Sequence, residues 1–313
     1  QEYDRLIDGL DEDFSNPDPD LARYIFDTDS DQGDNQRPRE IPLARIKDYP
    51  ISRDLYINWM AYFMANTVTY SPGEEMESAD MQDVQRMYRF LFNNMNDGAT
   101  IREMVRANLP SLARWRVART PQNAALEAFE NYLGLFQEDP PPDNPDTPRN
   151  EEEDFAIDFP LIATLPESIE NAGAACREFF LTPGDEYLIS QTDFPNSTPR
   201  LILQDSFVTT CNDVYDVIAG HSLIIPRAVE VIINYFFPGE AATEQRLAVW
   251  EAIVKANPET YEQIITAILF SREYLLNGHR PKSFEENFMT MLDTLKWDVK
   301  SNVNDLNNRI FTH

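Results

Sequence analysis

The second half of the chain repeats the first at a shift of 160 residues, which takes Thr100 to Thr260 and Pro121 to Pro281. The other identical pairs are Ala107/Ala267, Leu109/Leu269, Ser111/Ser271 and Leu135/Leu295. Apolar positions keep the same helical phase over about 40 aligned positions. A repeat of this kind predicts two related units, each too apolar on one face to be stable alone, that bury those faces against each other.

The spacing of apolar residues at intervals of three and four predicts a chain made of helices. The predicted helices cover residues 55–70, 80–94, 124–136, 228–237, 243–256, 261–276 and 284–297. Thr100 and Thr260 are each expected to be the N-cap of a helix. Leu201–Val208 and Phe155–Leu161 have patterns that suit isolated strands. The predicted fold class is therefore all-α, with an internal duplication.

Breaks in composition divide the chain into four predicted segments. Residues 1–50 are acidic and interrupted by prolines, and we expect an irregular arm. Residues 51–136 form the first helical unit. Residues 137–160 combine a proline cluster with many acids, which is typical of a stiff linker. Residues 161–313 form the second helical unit, whose initial part is rich in loops.

Aromatic residues on the first predicted helix of each repeat, 55–70 and 228–237, are candidates for the seam between the two repeats. They are Trp59, Tyr62, Phe63, Tyr235, Phe236 and Phe237. The alternative is that these side chains fill the core of their own unit, as aromatic stripes commonly do.

The net charge excludes some partners and favours others. Lys and Arg total 26 and Asp and Glu total 54, so the formal net charge is 26 − 54 = −28. Such a chain is poorly suited to bind nucleic acid or an anionic membrane surface. It favours protein subunits with a basic surface. The most apolar segment of the chain, 223–237, is interrupted by Arg227, Glu230 and Asn234. It is too short to span a membrane.

Two cysteines, Cys176 and Cys211, suit one disulfide in an oxidising compartment. The alternative is a pair of buried thiols in a cytosolic protein. The chain starts at Gln1 rather than Met, which fits both removal of a secretory signal peptide and an arbitrary starting point. We expect a periplasmic or extracellular protein.

An acidic cluster near the start of the chain is a candidate calcium site. Asp27, Asp29, Asp31 and Asp34 stand in a short loop that contains Gly33. Ca²⁺ prefers six to eight oxygen ligands, which alternate acidic residues can supply. The spacing does not match an EF-hand, and the alternative is a solvated acidic loop.

Motifs of known catalytic chemistry are absent from the sequence. It contains no G-x-S-x-G elbow, no phosphate-binding Gly-rich loop and no H-E-x-x-H pattern. His221, His279 and His313 are expected to be structural or solvated. We therefore expect a protein without an enzymatic activity or a nucleotide cofactor.

Residues 264–297 contain a helix ending followed by a basic residue, a proline and a second amphipathic helix. The residues of this pattern are Ser271, Arg272, Glu273, Tyr274, Arg280, Pro281 and Phe284. In this region the chain resembles the C-terminal helical module of secreted bacterial proteins of unknown function. The resemblance implies secretion and an all-α fold, and it assigns no catalytic residues.

These observations lead to one principal functional hypothesis and two alternatives. The principal hypothesis is a non-enzymatic, extracytoplasmic helical scaffold or adaptor subunit of a larger protein assembly. The first alternative is a secreted hydrolase that works through carboxylates and holds a structural calcium ion. The second is a calcium-dependent surface adhesin.

Overall fold

The fold was analysed in a computed structural model of the chain. It describes residues 53–68, 81–111, 114–115, 118, 120–136, 161, 163–177, 179–181, 188–190, 198–237 and 243–277. Helices account for 74% of this part of the chain. The prediction of a mostly α-helical protein is therefore confirmed.

Ten helices and four short strands are described. The helices are α1 (Arg53–Thr67), α2 (Met81–Asn96), α3 (Ile101–Asn108), α4 (Pro121–Leu133), α5 (Leu165–Cys176), α6 (Cys211–Gly220), α7 (Ile224–Phe236), α8 (Thr243–Ala256), α9 (Tyr261–Leu269) and α10 (Arg272–Asn277). The strands are β1 (Phe179–Leu181), β2 (Leu188–Ser190), β3 (Arg200–Ile202) and β4 (Ser206–Val208).

Threonine side chains fix where several helices begin. Thr100, Thr210 and Thr260 each accept a hydrogen bond from the backbone N–H three residues later. In all three cases the residue at that third position bonds back to the backbone N–H of the threonine, which completes a capping box. The predicted N-caps at Thr100 and Thr260 are thus present in the structure.

Helices α1 and α2 belong to the smaller of two compact units, which includes residues 53–66 and 81–97. Helix α1 buries apolar side chains around much of its surface, among them Ile57, Met60 and Met64. Helix α2 buries residues in its second half, where Phe90 and Leu91 lie in the core. An amphipathic surface helix would bury only one stripe, so α1 is a core helix of its unit.

The larger unit includes residues 98–277 and is organised around α7. This helix packs against α3, α4, α6, α8 and α9, and it buries eight of its thirteen residues. One of the eight is Glu230, whose carboxylate pairs at 3.1 Å with the guanidinium of Arg227. The nearby guanidinium offsets part of the cost of burying this carboxylate at the centre of the unit.

Helices from both sides of residues 137–160 share the core of the larger unit. Helix α4 precedes that segment and α5 follows it, and the two pack closely together. They approach at Gly173, where an added Cβ would lie 2.9 Å from the backbone Cα of Gln122. The predicted arm (1–50) and linker (137–160) lie outside the described residues. The boundaries of the four predicted segments stay predictions.

The residues between α5 and α6 form two antiparallel hairpins rather than an isolated strand. Strand β1 pairs with β2, and β3 pairs with β4. The predicted strand Leu201–Val208 is therefore corrected to a hairpin that turns at residues 203–205. Leu203 and Gln204 have positive φ angles of 48° and 72°, which reverses the chain in three residues. The second predicted strand, Phe155–Leu161, lies almost wholly outside the described residues.

Hydrogen bonds to residues far away in the sequence hold α3 in the larger unit. The Arg102 guanidinium donates hydrogen bonds to the carbonyl oxygens of Ala219 and His221, at the end of α6, each at 2.8 Å. The backbone N–H of Ile101 donates to the carbonyl of Glu259 at 2.8 Å. The start of α3 is thereby bonded to the residue that precedes the N-cap of α9.

Candidate protein-interaction surface

The connection between α8 and α9 is short and firmly capped. Helix α8 ends at Ala256, and Asn257 takes a positive φ of 52° that lets the chain turn at once. The side-chain carbonyl of Gln263 then accepts hydrogen bonds from the backbone N–H groups of Glu259 and Thr260. These bonds hold the starts of the turn and of α9, so the relative positions of the two helices are well fixed.

An open groove of about 700 Å³ lies among α8, α9 and α10. Ala248, Ala252 and Ala256 line it from α8, and Ala267 lines it from α9. The three alanines of α8 are four residues apart, and residues at that spacing occupy one face of a helix. All three are exposed, so their small side chains leave room above this face of α8 over about two turns.

The groove is lined by both apolar and acidic residues. Val249 and Ile253 line it and are buried, so its deepest part is apolar. The charged residues that line it are Glu259 and Glu273, and both are acidic. A groove with this lining can receive an apolar ridge flanked by positive charge.

Large apolar side chains are exposed next to the groove in sequence. Phe270, Leu275 and Leu276 have 77%, 65% and 64% of their surface accessible to solvent. Ser271 and Glu273, which line the groove, stand between them in the chain. Exposed apolar residues that are clustered, rather than scattered singly, mark interaction surfaces in soluble proteins.

Helix α10, which carries Leu275 and Leu276, is fixed in position by side-chain contacts. The Tyr274 ring makes edge-to-face contacts with Phe236 and Phe237, with centroid distances of 5.6 and 5.7 Å. The Ser271 hydroxyl accepts a hydrogen bond from the backbone N–H of Tyr274 and donates one to the carbonyl of Ile268. The end of α7 therefore holds α10 in place.

Two carboxylates in the described part of the chain have lowered pKa values because they cap helices. Hydrogen bonds from the backbone N–H and the hydroxyl of Thr100 lower the pKa of Glu103. Burial raises the pKa of Asp213, but hydrogen bonds from Thr210 and Thr209 outweigh it, so the pKa is lowered. Both carboxylates are capping groups. A general acid would require the opposite shift.

A buried tyrosine is shifted by its surroundings in the core. Burial raises the pKa of Tyr261, and the neighbouring Tyr132 raises it further. The Tyr132 hydroxyl accepts a hydrogen bond from the buried amide of Asn108, and the guanidinium of the buried Arg114 lies 5.1 Å from the centre of the Tyr132 ring. This cluster links α3 to α4 through polar contacts inside the core.

The predicted disulfide is confirmed. Cys176 and Cys211 are bonded to each other, so the last residue of α5 is joined to the first residue of α6. Both cysteines are buried. The bond closes the loop that contains the two hairpins, and Ser168 supports the same region because its hydroxyl accepts a hydrogen bond from the N–H of Leu203.

The predicted seam aromatics that the structure describes contact neighbouring aromatic rings on their own helix or in their own unit. Trp59 and Phe63 stack with ring centres 5.6 Å apart, and Tyr235 meets Phe236 edge to face. Phe236 and Phe237 contact the ring of Tyr274, as described above. The side chain of Tyr62 lies outside the described residues. A seam between the two repeats stays a prediction.

The candidate calcium ligands Asp27, Asp29, Asp31 and Asp34 lie outside the described residues, and the calcium site stays a prediction. His279 and His313 lie outside them as well. His221 is described, and its Nδ1 accepts a hydrogen bond from the N–H of Leu223 just after α6. The hydrolase alternative depends on carboxylates and a structural calcium ion, and the adhesin alternative depends on the calcium site. Both alternatives stay predictions.

The part of the chain that the structure describes contains neither a cluster of metal ligands nor a membrane-spanning helix. Among these residues, no group of three or more His, Cys, Asp and Glu side chains is arranged to hold a metal ion. No helix within the ranges given above combines the length and the apolar character needed to cross a membrane.

The groove residues were missed by the sequence analysis, although their spacing was visible. The apolar periodicity that predicts the helices comes from large side chains. Ala248, Ala252 and Ala256 form a separate four-residue period on α8. Alanine is too common in helices for that period to distinguish a contact surface from good helix propensity. The sequence also does not reveal that Phe270 is exposed, because its apolar spacing predicts one continuous helix over 261–276.

Comparison with known proteins gave no match: no protein-family model, no curated protein and no solved structure is similar to this chain.

Proposed function

We propose that the chain is a non-enzymatic, extracytoplasmic helical scaffold or adaptor subunit that binds other proteins. The observation that carries this proposal is the exposure of three large apolar side chains within seven consecutive residues, Phe270, Leu275 and Leu276, which we call the apolar cluster. Exposing such residues on an anchored helix costs solubility unless another protein covers them. A subunit of an assembly has that use for them.

An internal duplication is part of the proposal, and the capped helices α3 and α9 support it. Their N-caps are 160 residues apart, and both have the same reciprocal hydrogen bonds. Both helices also bury their first, fourth and fifth residues, as does α6 with the same capping box, so the specific support is the constant 160-residue offset of the aligned sequence. Duplicated helical units commonly serve as scaffolds with extended binding surfaces.

The proposed compartment and partner type rest on chemistry. The disulfide suits an oxidising environment outside the cytoplasm. The net charge of −28 favours a partner with a basic surface, because opposite charges steer association and suppress wrong partners. The resemblance of residues 264–297 to a secreted bacterial module agrees with the same proposal.

The proposal is tested by purifying the protein from its native host under mild conditions and measuring its molar mass by size-exclusion chromatography with light scattering. We expect a mass well above the 36.1 kDa of one chain. A zero-length carbodiimide cross-linker, which joins carboxylates to lysines, should connect acidic residues of this chain to lysines of the partner. A protein that elutes as a single chain without cross-linked partners would refute the proposal.

A pair of variants makes the test specific to the proposed surface. Replacing Phe270, Leu275 and Leu276 by serine should reduce the measured mass to that of one chain. The control replaces Leu201 and Phe207, two other exposed apolar residues on the β3–β4 hairpin, by serine. We expect the control to remain in the assembly. Equal loss in both variants would show that the apolar cluster has no special role.

A further inference from the structure

We propose that the groove among α8, α9 and α10 is the docking site for a basic amphipathic helix of the partner. This inference rests on the proposed function and names the element that the partner contributes. The groove is concave, its floor is apolar at Val249 and Ile253, and its wall on α8 is made of alanines. A helix laid in a groove between helices is an established mode of protein recognition.

The dimensions of the groove favour a helix as its occupant. Ala248 and Ala256 are eight residues apart, which corresponds to about 12 Å along a helix axis, or slightly more than two turns. Helix axes approach to within about 8–10 Å when the side chains at the contact are small. The alanine face of α8 therefore lets a second helix lie close to it. Recognition of an extended strand would instead need free backbone groups at a sheet edge, which a helix face does not offer.

The charge of the groove selects among helical partners. Glu259 and Glu273 line it, so a helix whose apolar ridge is flanked by lysines or arginines would pair with both carboxylates. A second copy of this chain is a poor occupant, because each copy has a formal charge of −28 and would present further acidic residues to the groove. The occupant to which the observations point is basic and helical.

The probe for the test is a fluorescein-labelled synthetic helix of 14 residues made of leucine and lysine in an amphipathic order. Its anisotropy is measured against the full chain at several salt concentrations. A peptide of the same pattern with glutamate in place of lysine, and a scrambled leucine–lysine peptide without an apolar face, are the comparisons. We expect the amphipathic basic peptide to bind at least tenfold more tightly than either.

Two variants separate binding in the groove from attraction to acidic surface in general. Ala252→Gln places a longer, uncharged side chain on the groove wall, and we expect it to weaken binding by roughly tenfold. Its control is Thr266→Gln, an equally neutral change at an exposed position of α9 that does not line the groove. Circular dichroism and the thermal midpoint establish that each variant is folded before binding is measured.

The charge requirement has its own matched pair. Glu259→Gln combined with Glu273→Gln removes two charges from the groove, and Glu244→Gln combined with Glu251→Gln removes two from exposed positions of α8 outside it. The first pair should weaken binding several-fold and reduce its salt dependence. The second pair should leave both nearly unchanged.

The following outcomes would overturn the inference. Ala252→Gln could bind the basic helix as tightly as the unchanged protein, or the two charge pairs could have equal effects, which would indicate general attraction to acidic surface. The chain alone could form a dimer that Ala252→Gln dissociates, which would make a second copy the occupant. If the native assembly persists while Ala252→Gln has no effect, the groove proposal fails and the scaffold proposal stands. A single-chain native protein would refute the scaffold proposal itself.

Discussion

Replacing Gly173 by alanine should destabilise the larger unit, because α5 has no space for a side chain where it crosses α4. An alanine Cβ at this position would lie 2.6 Å from Cγ of Gln122, 2.9 Å from its Cα and 3.0 Å from its backbone nitrogen. The Gln122 side chain could move away from the first contact. The other two atoms are backbone at the start of α4 and cannot move without shifting the helix.

The expected magnitude follows from two opposing effects. Alanine is favoured over glycine inside a helix by about 1 kcal/mol. Forcing an extra carbon into a packed contact costs about 1–3 kcal/mol. Since two of the three close atoms belong to the backbone, the cost should lie at the upper end of that range. We expect a net loss of about 1–2 kcal/mol, which for a unit of this size lowers Tm by about 2–8 °C.

Hydrogen–deuterium exchange read by mass spectrometry is the appropriate measurement, because it reports on α4 and α5 separately from the smaller unit. The matched control is Gly220→Ala, at the last residue of α6. Its added Cβ would have no atom within 4 Å, and its φ is not positive. Gly220→Ala should therefore be neutral or stabilising by up to about 1 kcal/mol.

A second variant isolates the backbone contact. Adding Gln122→Ala to Gly173→Ala removes the Cγ atom but leaves both backbone atoms in place, so stability should recover only in part. If Gly173→Ala proved as stable as Gly220→Ala, the close approach of α4 and α5 would be refuted. That result would also refute the conclusion that residues before and after 137–160 share one core.

Two further predictions concern the disulfide and an acidic cap. Reduction, or Cys176→Ala with Cys211→Ala, removes a cross-link over a sequence separation of 35. We expect the free energy of unfolding of the larger unit to fall by about 4 kcal/mol. A loss below about 1 kcal/mol in urea unfolding would contradict this prediction. Because the folded pKa of Asp213 is lowered, its carboxylate stabilises above the unfolded pKa of about 3.9, and the stabilisation disappears as the pH falls through the folded pKa. Asp213→Asn should therefore lower Tm slightly at pH 7, by the equivalent of about 0.5 kcal/mol given its exposure, and have a smaller effect at acidic pH. An equal effect at both pH values would show that the charge is irrelevant.

The helices that could be predicted from the sequence are those with large apolar residues and explicit start signals. Helix α8 was predicted with its observed bounds, Thr243–Ala256. Thr100 and Thr260 were recognised as N-caps because a threonine followed three residues later by Glu or Gln has a local chemical meaning. Such signals act within one turn of the chain, so they survive whatever the tertiary contacts are.

Helices α5 and α6 were not predicted. The sequence does contain the signals for α6, namely the cap at Thr210 and apolar residues at 211, 214, 215 and 218, whereas α5 is hidden by what it buries. Helix α5 places Ala172, Gly173 and Ala175 in the core, and these small side chains give little apolar periodicity. Their use is visible only in the close approach of α4, which is a tertiary property. The predicted helix over 261–276 failed for a different reason, because Ser271 ends one helix and starts another by hydrogen bonding at both sides of the break.

The strand prediction over 201–208 had the right residues and the wrong topology. Alternation of apolar and polar side chains is the same in one long strand and in two short paired ones. The two residues with positive φ, Leu203 and Gln204, lack the usual turn chemistry of glycine or asparagine, so Asp205 is the local turn signal of this loop. A distant contact also supports the turn, since the Ser168 hydroxyl of α5 accepts the Leu203 N–H.

The bond from the Ile101 N–H to the Glu259 carbonyl has a consequence for biosynthesis. The donor is made 158 residues before its acceptor, since 259 − 101 = 158. At about 5–20 residues per second, a ribosome needs roughly 8–30 s to cover that distance. During this interval α3 has its cap but not the neighbour that completes its first turn. Nascent chains of this protein should therefore depend on protection from premature association until the final third has emerged.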